Sequence, residues 1–134
     1  MAFDFGLRRI GVAVGNPLLG SATALAPLAA HDGVPDWGRI RRLLEEWQPQ
    51  RLLIGLPLNM DGSASDMSAQ AERFSRRLHG RYRLPCEMVD ERLSSVEARA
   101  RLAEGQHAFD AAAAGVDSEA ARIVLEAWFA AQAR

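Results

Sequence analysis

MAFDFGLRRIGVAVG, residues 1–15, decides how the rest of the chain is read. Two apolar segments, Met1–Phe5 and Arg9–Gly15, flank a turn at Gly6-Leu7-Arg8, which is the pattern of a β-hairpin. Successive strand side chains point to opposite faces, so Phe3 and Phe5 share one face and Asp4 points to the other. A carboxylate there costs free energy unless it is hydrogen-bonded, ion-paired or bound to a metal. Asp before Gly is also an ordinary turn former, and that reading stands beside the chemical one. In the second segment Ile10, Val12 and Val14 alternate with Gly11, Ala13 and Gly15. One face is bulky and the other nearly bare, which predicts that another backbone packs closely against it.

Outward from the hairpin, Thr23–Leu28 reads as a third, weaker strand between Asn16-Pro17 and Asp32-Gly33, completing an antiparallel meander. The period then changes. Ile40, Leu43, Leu44 and Trp47 recur at helical spacing, which predicts a helix from about Asp36 to Gln48, stopped by Pro49. Arg51–Leu56 is a continuous apolar run suited to a strand buried on both faces. A second helix is expected from about Ser65, with Met67, Ala71, Phe74 and Leu78 on one stripe and Arg73, Arg76 and Arg77 on the other face. Leu84–Val89 reads as a short strand. Ser94 and Glu97 match a capping box for a third helix ending before Gly105. Gln106–Gly115 receives no assignment, and Asp117-Ser118 opens a final helix. Three antiparallel strands followed by two parallel strands, with helices on both faces, is an α/β mixed sheet in the order of an RNase H-like domain.

The 134 residues suffice for a single domain spanning 1–134 with a real core. The formal charge of -1 gives no general affinity for nucleic acid. All 16 basic residues are arginine, so every basic position carries a planar fork able to hold phosphate through two hydrogen bonds. The single Cys86 excludes an internal disulfide and reads as an inert, buried thiol. No apolar run approaches the roughly 20 residues that span a bilayer, and Asp4, Arg8 and Arg9 interrupt any signal peptide, so a cytoplasmic protein is expected.

Three acidic positions lie at the ends of core elements: Asp4 after the first strand, Asp90-Glu91 after the last strand, and Asp117 at the last helix. Ligands gather at such strand ends in open α/β sheets. Carboxylates converging there would repel one another unless a divalent cation lies between them, and an all-oxygen set suits Mg²⁺ or Mn²⁺. Each acid also has a structural use: a turn for Asp4, a surface pair with Arg92 for Glu91, and a helix N-cap for Asp117. Spacing does not show that they meet.

FDFGLRRIGVAVG, LIGLPLNMDGS, VDERLSSVEAR and DSEAARIVLEAWF, in that order, closely resemble the YqgF/RuvX family of RNase H-like nucleases. The resemblance spans nearly the whole chain. It implies a metal-dependent phosphodiesterase that matures the 5′ end of precursor 16S ribosomal RNA or, alternatively, resolves Holliday junctions. It carries the metal-binding and catalytic roles to Asp4, Glu91 (Asp90 as substitute) and Asp117, holding Mg²⁺ or Mn²⁺ as a pair of ions. Arg8 and Arg92 flank the acids as phosphate contacts. Asn59 is a substrate contact by the same reasoning and a turn former by its own chemistry. Expected partners are RNA, or branched or single-stranded DNA, with the chain a monomer or homodimer and no membrane involved.

Two features depart from the family pattern. The basic run often found before the last Asp is replaced by Gln106–Gly115, with only His107, which shifts the expected phosphate contact to the Arg73–Arg83 cluster. Ala64-Ser65 stands where a glycine often follows the DGS segment. Competing readings are a member that binds nucleic acid without cutting it, and the actin-like and sugar-kinase ATPases, whose phosphate hairpin also begins Asp-x-Gly. The latter close two such domains on ATP, and this chain supplies one. The Asp4-Phe5-Gly6 match to the protein-kinase DFG motif is coincidental, since no catalytic-loop motif accompanies it.

Overall fold

The computed structural model describes residues 1–57, 59, 61–90 and 108–132. The expected hairpin forms from β1 (Ala2–Asp4) and β2 (Arg9–Asn16), paired antiparallel with Asp4 opposite Gly11. The third strand is longer than its apolar stretch predicts: β3 runs Ser21–His31. It then turns through Asp32 and Gly33, both at positive φ (50° and 81°), into the two-residue β4 (Val34–Pro35). Asp-Gly tolerates that left-handed conformation, so a turn marker taken as a boundary is the tip of a small hairpin.

Helix α1 (Trp37–Trp47) begins where Asp36 accepts a hydrogen bond from the Gly38 amide at 2.9 Å and ends at a left-handed Gln48. Strand β5 (Leu52–Leu56) follows, parallel to β1, with Ala2 opposite Leu53 and Phe3 opposite Ile54. Helix α2 (Asp66–Tyr82) is capped by a reciprocal pair: Ser65 Oγ accepts from the Ser68 amide and Ser68 Oγ from the Ser65 amide. Strand β6 (Cys86–Asp90) lies parallel to β5. The sheet order is β4-β3-β2-β1-β5-β6. This mixed α/β sheet is the arrangement of the RNase H-like fold. The Ser94–Glu97 capping box and its helix lie outside the described residues.

The last helix, α3 (Ala108–Gln132), starts well before the expected Asp117-Ser118. Ala111–Ala114 are the strongest helix formers, and the Gly at 115 costs only about 1 kcal/mol, too little to stop a helix carried by its neighbours. Asp117 therefore lies more than two turns inside α3 and is not its N-cap.

The two faces of the sheet differ as the β2 alternation requires. On one face Phe3, Ile10, Val12 and Ile54 pack with Ile40 of α1 and with Ala71, Phe74 and Leu78 of α2. Phe74 stacks against Trp37 and meets Phe3 edge-on, with ring centroids 6.0 and 5.7 Å away. On the other face Ala2, Ala13 and Leu53 take Ala121 and Leu125 of α3. The bare face admits α3 closely: a Cβ built on Gly15 would stand 2.7 Å from Phe129 and 2.9 Å from Leu125.

Candidate active site

Asp4 is the last residue of β1, a central strand, and is half-buried. Its side chain belongs to the face of Ala2, beneath α3, while Phe3 and Phe5 fill the opposite core. Gly11 lies directly across from it on β2. On β5, the pairing of Phe3 with Ile54 makes Gly55 the next residue alongside. Asp4 thus stands between two positions that carry no side chain.

Helix α3 is fastened to the sheet beside this point. The fully buried Ser118 hydroxyl accepts a hydrogen bond from the Val12 amide at 3.1 Å, linking residues 106 apart. The β2–β3 register shifts between Ile10 and Val12, and Ser118 meets the sheet at that irregularity. Val12 follows Gly11, the partner of Asp4, so the bond holds the helix backbone at residue 117 over the Asp4 end of β1. Next in the chain, Glu119 is buried and gripped by Arg122, whose Nε donates to Glu119 Oε2 at 2.9 Å. Another guanidinium nitrogen of Arg122 reaches Glu126 at 2.6 Å. The hydrogen bond that Arg122 donates to Glu119, ahead of the other contacts, raises the Arg122 pKa.

Asp90 ends β6 and is exposed. It pairs with Leu56, and Cys86 and Met88 pack with Ile54 while Val89 packs with Leu53. Strand alternation thus gives Asp90 to the Phe3 face, away from Asp4. Glu91, Arg92 and the Asp117 side chain lie outside what the structure describes. Arg8 is exposed in the hairpin turn, where its carbonyl accepts from the Ala30 amide at 2.8 Å. Asn59 is exposed in the loop after β5, and its amide nitrogen donates to Ser63 Oγ at 3.0 Å and to the Ala64 carbonyl at 3.2 Å. Among the described residues no three His, Cys, Asp or Glu side chains are grouped to hold a metal ion.

The strands' other end carries a feature that sequence reading missed. A cavity of about 700 Å³ opens there, lined by Met1, Gly15, Trp47, Arg51, Trp128 and Phe129 among others. The Arg51 guanidinium lies 5.4 Å from the Trp128 ring centre and pairs with Glu87 at 3.2 Å. Met1 precedes the strand that Asp4 ends, so this cavity lies at the opposite end of the strand from Asp4. Ser118 was legible only as the neighbour of Asp117; its 106-residue bond has no local signal.

A family model described as "RuvX: Holliday junction resolvase" matches residues 1–131. The chain belongs to the RuvX family. It is 58% identical over 130 residues to a Chromohalobacter salexigens protein named "Putative pre-16S rRNA nuclease", covering 97% of this chain and 88% of that one. Proteins of the same name from Marinobacter nauticus and Pectobacterium atrosepticum are 52% and 50% identical, covering 93% and 95% of their lengths. This RuvX-family chain is accordingly a nuclease by family. Among its described residues, no helix is long and apolar enough to cross a membrane.

Proposed function

We propose that this chain is a cytoplasmic, single-domain, divalent-metal-dependent nuclease that hydrolyses phosphodiester bonds at the 5′ end of precursor 16S ribosomal RNA. The observation that carries the reading is Asp4 at the end of a central strand, under a helix pinned beside it by Ser118. The curated relatives supply the RNA substrate by name. Asp4, Glu91 and Asp117 would hold Mg²⁺ or Mn²⁺, as one ion or a pair. Strand alternation favours Glu91 over Asp90, because Asp90 belongs to the opposite face. Hard carboxylate oxygens are the donors such ions take. When bound, the metal supplies an activated water and charge neutralisation at the cleaved phosphate.

The remaining residues position the substrate. Arg8, exposed in the turn after Asp4, and Arg92, following Glu91, hold the neighbouring phosphates through their forked donors. Asn59 shapes the loop after β5 through its amide and presents that loop to sugar or base edges. The family model's description favours a second reading, cleavage of branched DNA. One experiment separates the readings: cleavage of precursor 16S RNA and of a four-way DNA junction at matched salt, with Mn²⁺ and with excess EDTA. Selective, EDTA-sensitive cutting of the RNA is expected. Selective junction cutting would establish the second reading, and cleavage undiminished by EDTA would remove the metal.

A further inference from the structure

Among the described residues, most of the outer edge of β3 is paired with no strand. Strand β4 pairs only with Ala30 and His31, leaving Ser21–Ala29 with no strand paired on that side among the described residues. Exposed strand edges recruit other strands, and proteins ordinarily guard them with charge. Here the 21 residues from Ile10 to Ala30 contain no charged side chain. Pro27 and the register shift opposite Ile10 and Val12 interrupt the far half of the edge, so Ser21–Ala26 is the segment able to accept a strand. With no cation to meet phosphate, this edge does not fit nucleic acid.

Both ends of β3 are also unusually apolar at the surface. Leu18 (93% exposed) and Leu19 (76%) cap the β2–β3 turn, while Leu7 and Val34 are exposed at the β4 end. These are four of the five large hydrophobics exposed among the described residues; Trp47 is the fifth. An antiparallel partner related by a two-fold axis between Thr23 and Ala24 would pair Ser21 with Ala26. It would also carry each Leu18–Leu19 tip to the end of the other copy's β4, where Val34 and Leu7 are exposed. A single symmetry operation thus closes the open edge and covers both apolar ends, as a self-complementary interface must.

We propose that the occupant of this edge is a second copy of the chain, joined β3 to β3 into one continuous sheet. The test is sedimentation velocity over a concentration series on the intact chain and on the double variant Leu18→Glu with Leu19→Glu, whose exposed positions leave the core untouched. It is joined by amide hydrogen exchange at low and high protein concentration. The expected result is a dimer whose Kd rises at least tenfold in the variant, with Ser21–Ala26 amides gaining protection as concentration rises. A chain that stays monomeric throughout, a dimer indifferent to the variant, or concentration-dependent protection confined to another segment would overturn the proposal.

Discussion

Ser118 holds α3 in place through a hydrogen bond rather than through area. Removing its hydroxyl leaves the buried Val12 amide without a partner, which costs about 1–3 kcal/mol. Ser118→Ala should lower the chemical-denaturation midpoint accordingly. Arg122 is a second tie within α3, because Glu119 is 2% exposed and takes two hydrogen bonds from its guanidinium. Arg122→Met removes the two hydrogen bonds that Arg122 donates to that carboxylate and should lower Tm, whereas adding Glu119→Gln should restore part of the loss; thermal unfolding of the three proteins checks both. Asp117 tests the proposed metal role. Its position inside α3 removes the N-cap explanation, so Asp117→Asn should leave the helix intact and reduce metal-dependent cleavage on the order of 100-fold, the loss that follows even when only an outer partner of a metal ligand is removed. Near wild-type cleavage by a folded Asp117→Asn chain at limiting metal would take Asp117 out of the ligand set.

Among the elements, the closest fit is between β2 and α3. Gly15→Ala drives a Cβ to 2.7 Å from both the Phe129 ring and the Ser21 carbonyl. The second of these is backbone and cannot swing away, so the variant should lose about 1–3 kcal/mol, read as a drop in Tm. That contact was legible from residues alone, since the Gly11, Ala13 and Gly15 face has no other use than close approach. The same holds for α1 and α2, whose caps at Asp36 and Ser65 fall where side-chain chemistry puts them. Legibility failed where tertiary context overrode local signals. The alanines from 111 to 114 carry α3 back past Asp117, and Asp32-Gly33 turns a strand where it looked like a stop. Of the proposed acid site, the place of Asp4 and the face it belongs to follow from alternation. The anchoring of α3 does not, because a bond between Val12 and Ser118 leaves no trace in either neighbourhood.

For the whole molecule, charge is distributed by element. The β2–β3 hairpin is neutral between Arg9 and His31, while α2 bears Arg73, Arg76 and Arg77, which form no ion pair among the described residues. Arg73 and Arg76 are exposed and Arg77 is half-buried. If these guanidinium groups meet phosphate, replacing all three by Ala should flatten the salt dependence of RNA binding by about 1 per lost contact; an unchanged slope makes them a solvated face. In the β3-paired dimer, five strand spacings separate the two β1 strands, about 24 Å across the sheet, and the Asp4 ends open in opposite directions. The Val12–Ser118 bond also sets a time. A nascent chain emerges N-terminus first, so Asp4, the hairpin and the parallel strands leave the ribosome while the Ala2 face of the sheet is still uncovered. Only when α3 is free to dock is the Val12 amide satisfied and the proposed ligand Asp117 in its place in the fold. On the proposed ligand set, a chain whose cutting site closes with α3 stays harmless to the ribosomal RNA beside it until that helix is made.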